Sequence, residues 1–372
     1  MNPVDVLSKE DGLRLNVLMT QAEAVRIDPR GPAVVALAGD RELRVELHPD
    51  GREDAYLLAV RRLLASLVIG HPGGFPVFIR RWLQGGQLEN LRTADLLKLG
   101  EPEAVLAAAA SPHVDATVAR RAWWAHPEPA VARALLGNPA LTDRDARREL
   151  ATRLVEHLPF EQDEAAAMAT VRLVAEPGLV PAEVRLRLWR RGVQRAACLV
   201  GFLQAAPDDL PEPPPARALP VAVAEALEAE AGAGDPLAHR LAKALEGPGQ
   251  GFLAACDAIL EEPHHREIIS PLLNLLGDWC RVEGGDARRL AGSLPGLAGE
   301  IDALVRLGAS EEALCYPVFS RSTASGSLLR DKLREVLHPL REAIATLRGV
   351  EVPTPGPRRR RRSSATGLPN WG

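Results

Sequence analysis

Cysteine is rare in this chain, with four residues at 198, 256, 280 and 315 and no C-x-x-C pair or histidine partner at zinc-ligand spacing. That pattern excludes the common structural zinc modules and leads us to expect buried free thiols. Long apolar runs are also missing. The uncharged stretch Leu63 to Ile79 is broken by G-H-P-G-G-F-P, so it is too irregular to span a bilayer. Asp5, Lys9, Glu10 and Asp11 leave no apolar segment near the start, so a secretory signal is not expected and a cytoplasmic location is. Lysine occurs only at 9, 98, 243 and 332, and its replacement by arginine beside abundant alanine reflects base composition rather than function.

Positive charge is in deficit over most of the chain. The formal charge is −4, and the run Arg358 to Arg362 masks −9 on the remainder. An acidic body argues against a broad nucleic-acid face, which needs a positive stripe to displace counterions. Catalytic signatures are missing too: no G-x-S-x-G, S-x-x-K or H-E-x-x-H occurs. Neither an activated nucleophile nor a cofactor is implied.

The 372 residues, 46% hydrophobic and 25% charged, have the composition of an ordinary globular chain of about two domains. Short segments at Leu13 to Leu18, Ala24 to Asp28, Ala33 to Leu37 and Leu43 to Leu47 read as strands, with turn residues between the later three. A sheet this small needs a cover, and the amphipathic segment Asp54 to Ile69 supplies one.

From about residue 94 the chain repeats loosely. Glu103 to Asp115 resembles Pro129 to Thr142, each unit reading as two short helices, the second opened by a cap at Asp115 or Thr142. The expectation is a mainly α fold: a small N-terminal antiparallel β-sheet followed by an irregular HEAT-like array of helical pairs. Its expected parts are 1–70, sheet and covering helix; 71–210, stacked helical pairs; 211–350, a second helical region after P-E-P-P-P-A; and 351–372, a disordered basic tail.

Three groups of residues are candidate sites. R-R-A-W-W-A-H-P puts Arg120, Arg121, Trp123 and Trp124 on one helix, and arginine with tryptophan is what protein interfaces favour at their hot spots. Adjacent tryptophans on a helix point about 100° apart, so one is expected to be partly exposed. The loop G-H-P-G-G-F-P, with Gly73, Gly74, Arg80 and Arg81, could cradle an anion or be a tight interhelical turn. The tail arginines Arg358, Arg359, Arg360, Arg361 and Arg362 could hold RNA, DNA or an acidic partner. A second glycine cluster, G-P-G-Q-G-F from Gly247, follows no strand and reads as a loop.

An ordered series of strings carries a family resemblance. They are E-D-G-L-R-L-N-V-L, G-G-F-P-V-F-I-R-R-W, L-G-E-P-E-A-V, A-R-R-A-W-W-A, L-P-F-E, R-L-V-A-E-P-G-L and V-G-F-L-Q-A-A-P-D-D-L-P. Over about residues 10–350 the chain resembles the S-protein family of the dissimilatory sulfite reductase (Dsr) gene cluster, sulfur reduction protein DsrS. The resemblance implies a cytoplasmic accessory or regulatory protein of sulfur oxidation with a protein partner in that pathway. It brings no catalytic residues. A sulfur-transfer role would need a reactive thiol, for which Cys198, near Arg195, and Cys280, beside Arg281, are the candidates.

Overall fold

The computed structural model describes residues 6–28, 31–49, 51–70, 93–263, 265–321 and 327–351. The chain is mainly helical, with one small antiparallel sheet near its N-terminus. It forms two compact units, Met1–Ala206 and Pro207–Gly372.

The first unit opens with helix α1 (Lys9–Gln21), where the sequence predicts a strand over Leu13 to Leu18. Alternation was the misleading signal. Ser8 caps the helix by accepting a hydrogen bond from the Asp11 amide, and Asp11, Leu15 and Leu18 recur at helical spacing on the buried side. Leu13 and Val17 are left 68% and 56% exposed, the opposite of what a half-buried strand would do with them.

Strands β1 (Ala24–Ile27), β2 (Ala33–Ala38) and β3 (Arg41–Glu46) pair in sequence order, all antiparallel. The register sets Val25 opposite Ala36 and Ile27 opposite Val34. Because side chains alternate along a strand, these four share one face, while Ala24, Arg26, Val35, Leu37, Glu42 and Arg44 share the other. The first face meets Leu15 and Leu18 of α1 and Tyr56, Val60 and Leu64 of helix α2 (Glu53–Ile69) in one core.

A buried carboxylate ties these elements together. Asp11 is fully buried, accepts from the Tyr56 hydroxyl at 2.5 Å and the His48 amide at 2.8 Å, and lies 3.2 Å from His48 Nδ1. Burial alone would raise its pKa, but the bonds from Tyr56 and His48 outweigh it and hold the carboxyl below its ordinary value. A depressed folded pKa means stability that is present above the unfolded carboxylate range and is lost as pH falls through the lower folded value. Asp11→Asn should therefore cost about 2 kcal/mol at neutral pH. The gap from wild type should shrink below about pH 4, as urea titrations at several pH values would show.

The rest of the first unit is a run of helices: α3 (Thr93–Leu96), α4 (Pro102–Ala109), α5 (Ala116–Ala125), α6 (Pro129–Leu136), α7 (Arg144–His157), α8 (Glu164–Val174), α9 (Ala182–Gly192) and α10 (Ala196–Ala205). Helices α4 with α5 and α6 with α7 are packed pairs, and α4 stacks on α6. Pro102 and Pro129 sit in the first turns of α4 and α6, where a missing N–H costs nothing. Asp115 caps α5 as the sequence predicts, but α7 is capped by Asp143, not Thr142: the aspartate carboxylate accepts from the Ala146 amide at 2.8 Å.

The second unit packs α11 (Val221–Gly232), α12 (Pro236–Leu245), α13 (Gly247–Glu261), α14 (Arg266–Cys280), α15 (Ala287–Ser293), α16 (Ala298–Gly308), α17 (Tyr316–Arg321) and α18 (Ser327–Arg348) around a leucine-rich core. G-P-G-Q-G is not the loop its glycines suggest but the first turns of α13. The glycines are there because the backbone comes close. A Cβ on Gly249 would lie 2.2 Å from the Lys243 carbonyl oxygen, and one on Gly247 would lie 2.5 Å from that of Pro214. Arg217 closes this unit by donating to the Thr346 and Leu347 carbonyls at 2.6 and 3.0 Å and pairing with Glu300 at 2.6 Å.

Candidate functional site

Helix α5 buries small residues, Val118, Ala119, Ala122 and Ala125, so it lies close to its neighbours. Both tryptophans flank that stripe, and both are half-buried rather than one in and one out. They line a groove of about 370 Å³ with Arg26 of β1, Ala119 and Arg120 of α5, Pro127, and Ala146, Glu149, Leu150 and Arg153 of α7. The floor is apolar, and charged groups stand around the rim.

One side of the groove is a fixed frame. The Trp124 indole N–H donates to Glu42 Oε1 at 2.6 Å, and Glu42 also accepts from the Arg26 guanidinium at 3.1 Å. The guanidinium lies over the Trp124 ring, 4.5 Å from its centroid. Strand β1 delivers Arg26 and strand β3 delivers Glu42 to the sheet face that looks toward α5. Trp124 is thus held by a hydrogen bond and a cation–π contact at once.

The other side is open. The Trp123 indole N–H has no acceptor among the described residues, and neither Arg120 nor Glu149 is ion-paired there. Among the described residues Arg153 pairs only with Glu156 of its own helix, at 3.4 Å between two exposed groups, which contributes little. A half-buried aromatic ring with a free N–H, between a spare guanidinium and a spare carboxylate, can take an apolar side chain and hydrogen-bond the backbone that carries it.

Three of the four residues picked from R-R-A-W-W therefore meet at the groove. Arg121 does not: it pairs with Glu23 at 2.8 Å, and Glu23 in turn accepts from the Gly39 amide, so Arg121 fastens α5 to the sheet. Sequence reading missed Arg26, Pro127, Glu149, Leu150 and Arg153. The offset between the two helical units was a signal for the α7 residues, since it stacks α7 beside α5; nothing in the sequence pointed to Arg26. Gly73, Gly74, Arg80 and Arg81, and the run Arg358 to Arg362, lie outside the described residues.

The cysteines are all buried and free. Burial raises the Cys198 pKa despite the opposing charges of Arg195 and Arg191, and it pushes Cys280 up to about 12 despite Arg240. Burial likewise takes Cys315 to about 11 and Cys256 well above its ordinary value. These are conditions for inert thiols, against a sulfur-carrying role. Ellman's reagent at pH 8 should find no reactive thiol in the folded chain and four after denaturation; a thiol that reacts promptly in the native state would reopen that role. Among the described residues no cluster of three or more histidine, cysteine, aspartate or glutamate side chains could hold a metal ion, and no helix is long and apolar enough to cross a membrane.

Comparison with protein-family models, curated proteins and solved structures finds no match for the chain.

Proposed function

We propose that the protein is a noncatalytic accessory or regulatory protein of dissimilatory sulfur metabolism that binds a protein partner through the Trp123 and Trp124 groove. The sulfur assignment rests on the resemblance to the S-protein family of the Dsr cluster. The binding mode rests on one observation: a preformed apolar groove in which one tryptophan is locked by Arg26 and Glu42 and the other keeps its polar edge unused. Locking one ring lowers the ordering cost of binding, and the open ring supplies an anchor.

The groove also fits better with binding than with catalysis. Its charged groups are arginines and Glu149, and it contains no histidine, cysteine, serine or threonine to act as base or nucleophile. Photo-crosslinking from position 120, on the rim, compared with Arg148, exposed elsewhere on α7, tests the reading in living cells. A discrete protein adduct from 120 alone is expected, whereas equal adducts from both positions would count against the groove.

A further inference from the structure

Helix α7 borders a second groove. At about 100° per residue, Ala146, Glu149, Leu150 and Arg153 face the tryptophan groove while Val155 lies on the opposite side of the helix. There Val155, Leu158, Pro159, Val184 and Leu188 form the apolar floor of a cavity of about 440 Å³. Its charged rim is Arg187, Arg190 and Arg191 of α9, with Gln194 and no carboxylate in the lining. Arginines at 187, 190 and 191 share one helix face by their i, i+3 and i+4 spacing. Arg187 and Arg191 form no ion pair among the described residues. Phe160, next to Pro159 in sequence, is 79% exposed and Val193, next to Gln194, is 69% exposed.

We infer that this arginine groove is a second docking subsite, and that the ligand is an acidic, extended protein segment crossing α7 with one apolar side chain in each groove. Charge complementarity selects the ligand. Arg187 and Arg191, which form no ion pair among the described residues, attract carboxylates locally, while a chain that carries −9 outside Arg358 to Arg362 repels a long polyanion from the surroundings. The apolar floor needs an aliphatic or aromatic side chain between those carboxylates, which a peptide supplies and a sugar–phosphate backbone does not. Spacing follows from the helix between the grooves. One helix width is about 10 Å and the α7 residues of the two grooves lie about 8 Å apart along its axis, a separation of about 13 Å; an extended or polyproline chain advances about 3.1–3.4 Å per residue, so the two anchors fall about four residues apart.

This inference rests on the proposed function only for its first anchor; the arginine subsite can stand or fall separately. The test is selection of a random 12-residue peptide library displayed on phage against the full chain, followed by fluorescence-anisotropy titration of the enriched peptides and of a 12-nucleotide oligouridine. The expected consensus is net acidic with two apolar residues about four apart. Affinity should fall at least tenfold on the double substitution Arg187→Ala with Arg191→Ala, and separately on Trp123→Ala. Arg187 is exposed while Arg191 and Trp123 are half-buried, so circular dichroism would verify the folding of both variants. If Trp123→Ala abolishes binding and the arginine pair has no effect, the subsite is overturned and the proposed function stands. If only the arginine pair matters, the tryptophan anchor fails and the acidic-ligand subsite stands alone. Enrichment of peptides without acidic residues, no enrichment at all, or oligouridine binding that depends on Arg187 and Arg191 would each overturn the inference.

Discussion

Trp123→Ala is expected to weaken partner binding by about 30-fold or more while leaving the unfolding midpoint nearly unchanged. Buried aromatic anchors at interface centres cost about 2 kcal/mol or more on truncation, which corresponds to that factor. Trp123 can act this way because its ring is half-buried in the groove while its indole N–H is unused within the described residues. Trp124 is the contrasting case. Its removal leaves Glu42 without the indole donor and Arg26 without the ring beneath it, so Trp124→Ala should lower the stability of the first unit by about 1–2 kcal/mol as well as weaken binding. Titration of the purified partner against both variants, with denaturant unfolding alongside, separates an anchor from a frame. Equal, large losses of stability in both variants would mean that the two tryptophans are simply packing.

Gly201→Ala should be the most damaging glycine-to-alanine change among the described residues of the first unit. A Cβ at position 201 on α10 would lie 2.3 Å from the Met168 carbonyl oxygen and 3.1 Å from Val171 Cβ on α8, and backbone cannot yield as a flexible side chain can. Forced overpacking costs about 1–3 kcal/mol and sometimes more, and a clash with backbone belongs at the top of that range, about 3 kcal/mol. Gly12→Ala is the control. On α1 the nearest neighbour of its Cβ would be a Leu7 methyl at 3.8 Å. There the added methyl removes only unfolded-state freedom, and a gain of about 0.5–1 kcal/mol is expected. Urea unfolding of the two variants should move in opposite directions. A neutral Gly201→Ala would mean that α8 and α10 are farther apart than described.

What was readable in the sequence follows from the range of the forces involved. The mainly helical fold and its small sheet were legible because periodicity and turn residues act locally: strands β1 to β3 and helix α2 lie within a residue or two of their expected bounds. Leu13 to Leu18 was misread because its alternating pattern also contains a helical stripe, and the Ser8 cap and the buried Asp11 network decide between them through residues distant in sequence. The glycines of α13 were misread because they answer to backbones at Pro214 and Lys243 that local pattern cannot reveal. At the site, composition singled out Arg120, Trp123 and Trp124, but only tertiary packing brings Arg26 over the Trp124 ring and Glu42 to its indole N–H and takes Arg121 away to Glu23. Arg187, Arg190 and Arg191 were in plain view at i, i+3 and i+4; what the sequence did not show was the apolar floor that α7 builds beside them.

Whether the tryptophan groove holds a protein partner is decided by affinity purification of the wild type and of Trp123→Ala, side by side and with nuclease, from host cells grown on reduced sulfur. A protein retained in stoichiometric amount by the wild type, resistant to nuclease and lost from Trp123→Ala, is the expected result. The same proteins on both baits, or retained material that disappears with nuclease, would mean that the groove is not the binding site of a protein partner.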